Sequence, residues 1–285
     1  MKFLVTGVKG QLGYDICKVL REKGYEAVGV DIEEMDLTKE EQVRSTILGQ
    51  GIDGVFHCAA YTAVDKAEDE VELCRKVNVD GTKYIATACK EEQIPLLYLS
   101  TDYIFHGEGE NEWKEDGEEI SPLNVYGQTK YEGEQWVREL VEQHFIVRIS
   151  WVFGKNGANF IKTMIRLGKE RGKVQVVADQ IGSPTYTKDL AKLLVAMMES
   201  DKYGTYHATN EGVCSWYEFA CEIFKQAGMK EVEVTPVTSE AFPTKAKRPH
   251  NSRMSKEKLE KNGFFRLPTW QDAVGRYLKE IEEIE

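Results

Sequence analysis

Tyr126 and Lys130 stand four residues apart in the segment Tyr126-Gly-Gln-Thr-Lys130. On a helix that spacing puts both on one face, separated by ~6 Å of rise. A free tyrosine ionises near pH ~10 and is a poor acid–base at neutrality. A neighbouring ammonium favours the phenolate, so Lys130 is expected to lower Tyr126 into a working range. Such a pair suits proton transfer at an oxygen, and the lysine can also hold hydroxyl groups of a ligand. Upstream, Ser100-Thr-Asp-Tyr-Ile-Phe105 supplies Thr101, whose hydroxyl can donate to a carbonyl oxygen and stabilise developing alkoxide charge. Alone, a Tyr-x-x-x-Lys spacing recurs by chance on many amphipathic helices, and the Thr101 segment reads also as a polar turn.

A second group of residues supplies a partner for this chemistry. Glycines fall at 7, 10 and 13, between a β-like run at Phe3–Thr6 and a helical pattern from Gln11. The spacing is one residue looser than the dinucleotide fingerprint, but the demands are the same: a tight turn, backbone close to pyrophosphate, and a helix N-terminus facing the phosphates. Asp31 ends the next strand and can accept hydrogen bonds from both hydroxyls of an adenosine ribose. It would repel a 2′-phosphate, and no arginine adjoins it. The reading is NAD(H) preferred, with NADP(H) as the lesser option. Small residues in Cys58-Ala-Ala-Tyr-Thr62, after a third strand, would let a cofactor lie close.

These groups must be positioned by alternating strands and helices. Strands are predicted at Phe3–Thr6, Glu26–Val30, Gly54–His57, Leu96–Leu99 and Phe145–Ile149. Helices are predicted over Gln11–Lys23, a long and interruptible stretch from Val64 to Glu92, and Tyr126–Gln143. Thr38, with Glu41 three residues on, reads as a capping box. The pattern predicts an α/β fold, a doubly wound parallel sheet of Rossmann type, with ligands at the carboxyl ends of its strands. The second half is less regular. Helices are expected at 159–170, 188–199, 215–226, 255–261 and 269–281, and short strands at 174–177, 205–208 and 232–234. Residues 1–152 are assigned to a dinucleotide-binding domain, with segments of about 178–205 and 238–255 returning to it. Residues 153–285 are assigned mainly to a smaller α/β substrate-binding domain.

Composition narrows the function classes. The formal net charge of −11 argues against nucleic acid as a partner. Lys245, Lys247, Arg248 and Arg253 nevertheless form a local basic cluster suited to a small anion. Six cysteines form no C-x-x-C pair and read as reduced, mostly buried thiols. No apolar run is long enough to span a bilayer, and the start of the chain lacks a secretion-signal pattern, so a cytoplasmic location is expected.

Several segments together resemble the extended short-chain dehydrogenase/reductase superfamily, and within it the dTDP-4-dehydrorhamnose reductase family. They are Gly10-Gln-Leu-Gly13, Ala63-Val-Asp-Lys-Ala-Glu68, Ser100–Phe105, Ser121-Pro-Leu-Asn-Val-Tyr-Gly-Gln-Thr-Lys130, Arg148-Ile-Ser-Trp-Val152, Gly182-Ser-Pro-Thr185 and Arg248-Pro-His-Asn-Ser-Arg253. The resemblance implies NADH-dependent reduction of the C4 ketone of dTDP-4-dehydro-β-L-rhamnose in dTDP-L-rhamnose biosynthesis. Tyr126 would give the proton, Lys130 would tune it and bind the ribose, and Thr101 would orient the carbonyl. By the same resemblance Gly7, Gly10, Gln11, Leu12, Asp31, Asp36, Leu37, Ala60, Tyr61, Thr62 and Leu99 surround the cofactor with Tyr126 and Lys130. Asp102 and Trp151 would meet the sugar nucleotide, with Arg248 and Arg253 neutralising its diphosphate. Some family members form a dimer bridged by Mg²⁺ through acidic side chains. The matching positions here are Asp15, Lys188 and Glu280, and a lysine cannot join an oxygen cage. No bridging metal is therefore expected, and the chain would be a monomer or a metal-free homodimer. Two rivals share the resemblance. One is a nucleotide-sugar epimerase or 4,6-dehydratase, although Tyr103 stands where dehydratases place an elimination base. The other is a non-catalytic subunit like the regulatory one of methionine adenosyltransferase.

Overall fold

The structure is a computed structural model, and residues 1–117 and 119–282 are described. The chain runs β1 (Lys2–Thr6), α1 (Gln11–Glu22), β2 (Glu26–Val30), α2 (Glu40–Ile47), β3 (Gly54–His57), α3 (Val64–Ala67), α4 (Val71–Arg75), a π-helical turn (Lys76–Asp80), α5 (Gly81–Glu92), β4 (Leu96–Thr101), α6 (Val125–Leu140) and β5 (His144–Ile149). It continues with β6 (Val152–Phe153), α7 (Phe160–Arg171), β7 (Lys173–Val177), β8 (Ile181–Gly182), β9 (Thr185–Tyr186), α8 (Thr187–Met198), β10 (Gly204–His207), β11 (Cys214–Ser215), α9 (Trp216–Gln226), β12 (Glu233–Val237), α10 (Glu257–Lys261) and α11 (Trp270–Glu282).

Six strands form one parallel sheet in the order β10-β5-β4-β3-β1-β2. This is the doubly wound arrangement expected from the alternation of elements. Alternate residues of each strand face opposite sides. Phe3, Val5, Phe56 and Leu97 pack with Ile16 and Leu20 of α1 and Leu190 and Leu194 of α8. Leu4, Val55, Leu96 and Tyr98 pack with Val43 of α2, Ile85 of α5 and Val137 of α6. Both faces are covered, which explains why these strands are nearly continuous apolar runs. A further core gathers Phe153, Ile161, Val176, Tyr186, Phe219, Trp270 and Tyr277 around α7, α9 and α11, with β7 and β12 as a parallel pair beside it. Strand order reverses between β1 and β3, so a crevice opens there at the carboxyl ends.

Some local expectations fail for identifiable reasons. Thr38 does not cap α2, because its hydroxyl donates to Asp36 Oδ1 (2.7 Å) and the helix begins two residues later. The predicted 64–92 stretch is interrupted at Glu68–Glu70 and passes through the π-helical turn. Helix α6 starts one residue before Tyr126, because Asn124 caps it by accepting the Gly127 N–H (2.8 Å). A full capping box forms at α9 instead, between Ser215 and Glu218.

Candidate active site

The glycine turn shapes one side of the crevice. Gly7 has φ +70° and donates to Val30 O (2.9 Å), and a Cβ there would sit 2.9 Å from the Ala59 backbone. Gly10 donates to Gly7 O (3.0 Å) and leads into α1, while a side chain at Gly13 would clash with the Gly7 carbonyl. A cavity of about 430 Å³ opens beside this turn, lined by Gly7, Asp31, Asp36, Leu37, Ala60 and Tyr61 among others. Asp31 Oδ2 accepts the Lys9 N–H (2.9 Å), Glu34 accepts the Asp31 N–H (2.9 Å) and Glu33 pairs with the Lys9 ammonium (2.7 Å), so three carboxylates stand beside one cation at this end of the cavity. The glycine cradle, the apolar walls and Asp31 suit an adenosine ribose and pyrophosphate.

Three expected cofactor residues, Gln11, Leu12 and Leu99, use their side chains elsewhere, and a fourth, Thr62, stands outside the cavity lining. Gln11 Oε1 accepts from Gly154 N (2.8 Å) and Asn159 Nδ2 (3.2 Å), tying α1 to the far core. Leu12 and Leu99 are buried in the core between the sheet and α1. Thr62 is exposed, outside the cavity lining. A residue not anticipated from the sequence, Asn78 in the π-helical turn, fixes this loop. Its Oδ1 accepts the Tyr61 N–H (2.8 Å), and its Nδ2 donates to Tyr61 O (3.2 Å) and Thr129 Oγ1 (3.1 Å). An asparagine inside a helical run, where its propensity is poor, was the available signal.

Thr101 ends β4, and Tyr126 and Lys130 lie in the first turns of α6. The Thr101 hydroxyl donates to Asp102 Oδ1 (3.0 Å) and accepts the Tyr103 N–H (3.2 Å). Burial pushes the Tyr126 phenol above its ordinary range, partly opposed by the Thr101 hydroxyl beside it. Lys130 does not produce the lowering expected of it. Its ammonium lies 4.1 Å over the Tyr98 ring, with no hydrogen-bond partner among the described residues. Burial pulls Lys130 down to about 7, against the attraction of Glu134. Glu134 was not anticipated either. It is fully buried, clamped by Arg148 through two bonds of 2.9 Å and by Arg138 (2.7 Å).

A second cavity, of about 640 Å³, is lined by Tyr103, Leu123, Phe160, Trp216, Lys247 and Arg248, among others. The Tyr103 ring meets Tyr126 edge-on at 5.6 Å. Arg248 donates to both oxygens of Asp65 (3.1 and 2.7 Å), and Lys245 pairs with Asp69. Glu68 accepts the Val125 N–H (2.8 Å), and Asn124 donates to Lys247 O (2.8 Å). The segments 63–68 and 245–253 therefore meet at the start of α6. Asp102 is buried, with Ser252 donating to its second oxygen (2.5 Å), and burial raises it to about 6. The expected sugar contact at Asp102 thus has both oxygens engaged within the protein. Trp151 and Arg253 are not in the lining. Trp151, at φ +48°, stacks on Trp216 at 3.7 Å behind the cavity wall, and Arg253 turns to Asn251 Oδ1 (3.0 Å).

Asp15, Lys188 and Glu280 do come together. Lys188 reaches Glu280 (3.4 Å), and Asp15 accepts from Thr187 (2.5 Å). Among the described residues no group of three or more His, Cys, Asp or Glu side chains is placed to hold a metal ion. No helix among them is long and apolar enough to cross a membrane.

A glycine-lined crevice at the sheet's switch point, with a Tyr-x-x-x-Lys helix and a threonine at the end of β4, defines the short-chain dehydrogenase/reductase class. The family model described as RmlD substrate binding domain matches residues 1–283. The dTDP-4-dehydrorhamnose reductase of Aggregatibacter actinomycetemcomitans is 41% identical, over 96% of this chain and 97% of its own. A crystal structure of a dTDP-4-dehydrorhamnose reductase from Clostridium acetobutylicum superposes with a TM-score of 0.96 at 40% identity, covering 99% of this chain and 100% of that one. One from Bacillus anthracis, in complex with NADP, gives 0.95 at 43% identity, covering 98% and 100%. The chain belongs to the dTDP-4-dehydrorhamnose reductase family.

Proposed function

We propose that this chain reduces the C4 ketone of dTDP-4-dehydro-β-L-rhamnose to dTDP-L-rhamnose, with NADH preferred over NADPH. The observation that carries the reading is the meeting of Thr101 and Tyr126 at the carboxyl end of β4, beside a cavity walled by Tyr103 and Arg248. Bound at the glycine crevice, NADH supplies the hydride. Tyr126, kept protonated by burial, gives its phenolic proton to the nascent C4 alkoxide. With substrate bound, the Thr101 hydroxyl turns its one proton from Asp102 Oδ1 to the same oxygen and orients the carbonyl. Lys130 offers its free ammonium to the ribose hydroxyls. Arg248, with Lys247, faces the diphosphate, and its pairing with Asp65 holds the guanidinium in place. The core around α7, α9 and α11 forms the substrate side.

Acidic Asp31, Glu33 and Glu34 support NADH, whereas the Bacillus anthracis relative in complex with NADP supports a second reading in which NADPH also serves. Lys188 beside Glu280 supports a monomer or dimer without bridging Mg²⁺. The test is incubation of dTDP-4-dehydro-L-rhamnose with NADH and, separately, of UDP-galactose with NAD⁺, followed by product analysis. Stoichiometric NADH oxidation with the first and no change in the second is expected. Epimerisation of UDP-galactose without net NADH turnover would refute the proposal.

A further inference from the structure

The second cavity contains a polar group that the reduction itself does not use. Gln180 lines it and is only 9% exposed. Its Nε2 donates to Ser239 Oγ (2.9 Å). The direction of that bond is fixed by the next residue in the chain of contacts. Ser239 gives its own proton to Asp179 Oδ1 (2.6 Å), and the Ser239 N–H also reaches this carboxylate (2.9 Å). Burial works against the Asp179 charge, but the Ser239 bonds and His250 nearby hold its carboxyl below the ordinary range. An ionised Asp179 can only accept, so the Ser239 oxygen must accept from Gln180. The amide is thereby oriented: its Oε1 has no donor among the described residues, and one Nε2 proton is uncommitted. Only Ser100 Oγ and Trp270 Nε1 are buried without a partner among the described residues, so the Gln180 oxygen opens to the cavity, where a ligand donor can reach it.

Its surroundings indicate what it recognises. Phe160, Met164, Val176 and Trp216 make an apolar wall to the same cavity, Lys247 and Arg248 supply positive charge beside the carboxylates Glu108 and Glu240, and Tyr103 leads to Tyr126. A flat, largely apolar ring with one hydrogen-bonding edge fits that wall better than a polyhydroxylated sugar does.

We propose that Gln180 is the base-reading residue of the substrate site, accepting the N3–H of a thymine or uracil ring through Oε1 and donating through Nε2 to an adjacent ring carbonyl. The assignment rests on the nucleotide-sugar reading above. Cytosine presents an acceptor at N3, which would face the Gln180 oxygen lone pairs when the ring sits as thymine does, so cytidine nucleotides are disfavoured. The Ser239–Asp179 pair acts as a positioning device, since it prevents the amide from rotating to suit cytosine.

The experiment is calorimetric titration of the full chain with dTDP, dCDP, UDP and CDP. Wild type is expected to bind dTDP over dCDP, and UDP over CDP, by at least ~10-fold, the range for leaving a buried polar group unpaired. Gln180→Ala should bring both ratios to within about threefold while diphosphate binding persists. Ser239→Ala, which frees the amide to rotate, should lower the ratios partway without removing the glutamine. Equal affinity of wild type for thymine and cytosine nucleotides overturns the inference, as does a ratio that survives in Gln180→Ala. If the ratio survives while wild type still oxidises NADH with the dehydrorhamnose substrate, Gln180 alone is misassigned. If wild type binds none of the four nucleotides, the nucleotide-sugar reading falls and this inference falls with it.

Discussion

Lys130 should weaken the fold that carries it. It is 3% exposed, and burial brings it from an ordinary 10.5 to about 7. In the unfolded chain the same amine stays fully protonated at pH 7. The difference is on the order of 4 kcal/mol against the folded state at pH 7. The ammonium over the Tyr98 ring returns ~1–2 kcal/mol of that. Lys130→Met keeps the length and apolar stem and removes the charge. It should therefore stabilise the protein by ~2–3 kcal/mol at pH 7, a rise in Tm of about 5 °C, while activity falls ~100-fold or more. The sign across pH follows from proton counting. Between pH 7 and 10.5 the unfolded state holds more protons than the folded one, so wild-type stability rises with pH and the variant's advantage shrinks by ~1.4 kcal/mol per pH unit. Below pH 7 the gap is flat. Thermal or urea unfolding of both proteins at pH 7, 8 and 9 measures it. A variant less stable than wild type at pH 7, or a gap unchanged from pH 7 to 9, would refute the reasoning.

Two further outcomes follow from the site. Asp31, beside Glu33 and Glu34, should make kcat/KM at least ~10-fold higher with NADH than with NADPH, and Asp31→Ser should narrow that ratio; steady-state rates with each cofactor decide it. Glu134→Ala strands Arg148, which is 2% exposed, and should cost ~3–5 kcal/mol in denaturant unfolding, with Glu134→Gln losing less.

The sheet is legible in the sequence because its strands are short, mostly apolar runs set between helical patterns. β2 and β3 fall on the predicted residues, and β1 differs by one. Two-residue strands such as β6, β8, β9 and β11 carry no periodicity, so nothing in the sequence could announce them. The chemistry was legible as Tyr126, Lys130 and Thr101, but their electrostatics were not. The Tyr98 ring beneath Lys130 comes from a neighbouring strand, and burial is a property of the packed whole. Arg248 was recognised as part of a basic cluster, yet its partner Asp65 lies 183 residues away, a pairing that spacing cannot reveal. The resemblance puts Trp151 at the sugar nucleotide. Its left-handed backbone stacks the ring on Trp216, which itself lines the second cavity, and Gly182 leaves room for it there, a placement that spacing cannot reveal.

The central claim is that Tyr126 delivers the proton to a C4 alkoxide of a dTDP-deoxysugar. The direct measurement is NADH oxidation with enzymatically prepared dTDP-4-dehydro-β-L-rhamnose by wild type and Tyr126→Phe. Turnover by wild type is expected, with a fall in kcat of ~100-fold or more in the variant and KM for the sugar nucleotide within about threefold. A variant as fast as wild type, or a wild type that leaves this substrate unreduced, would contradict it.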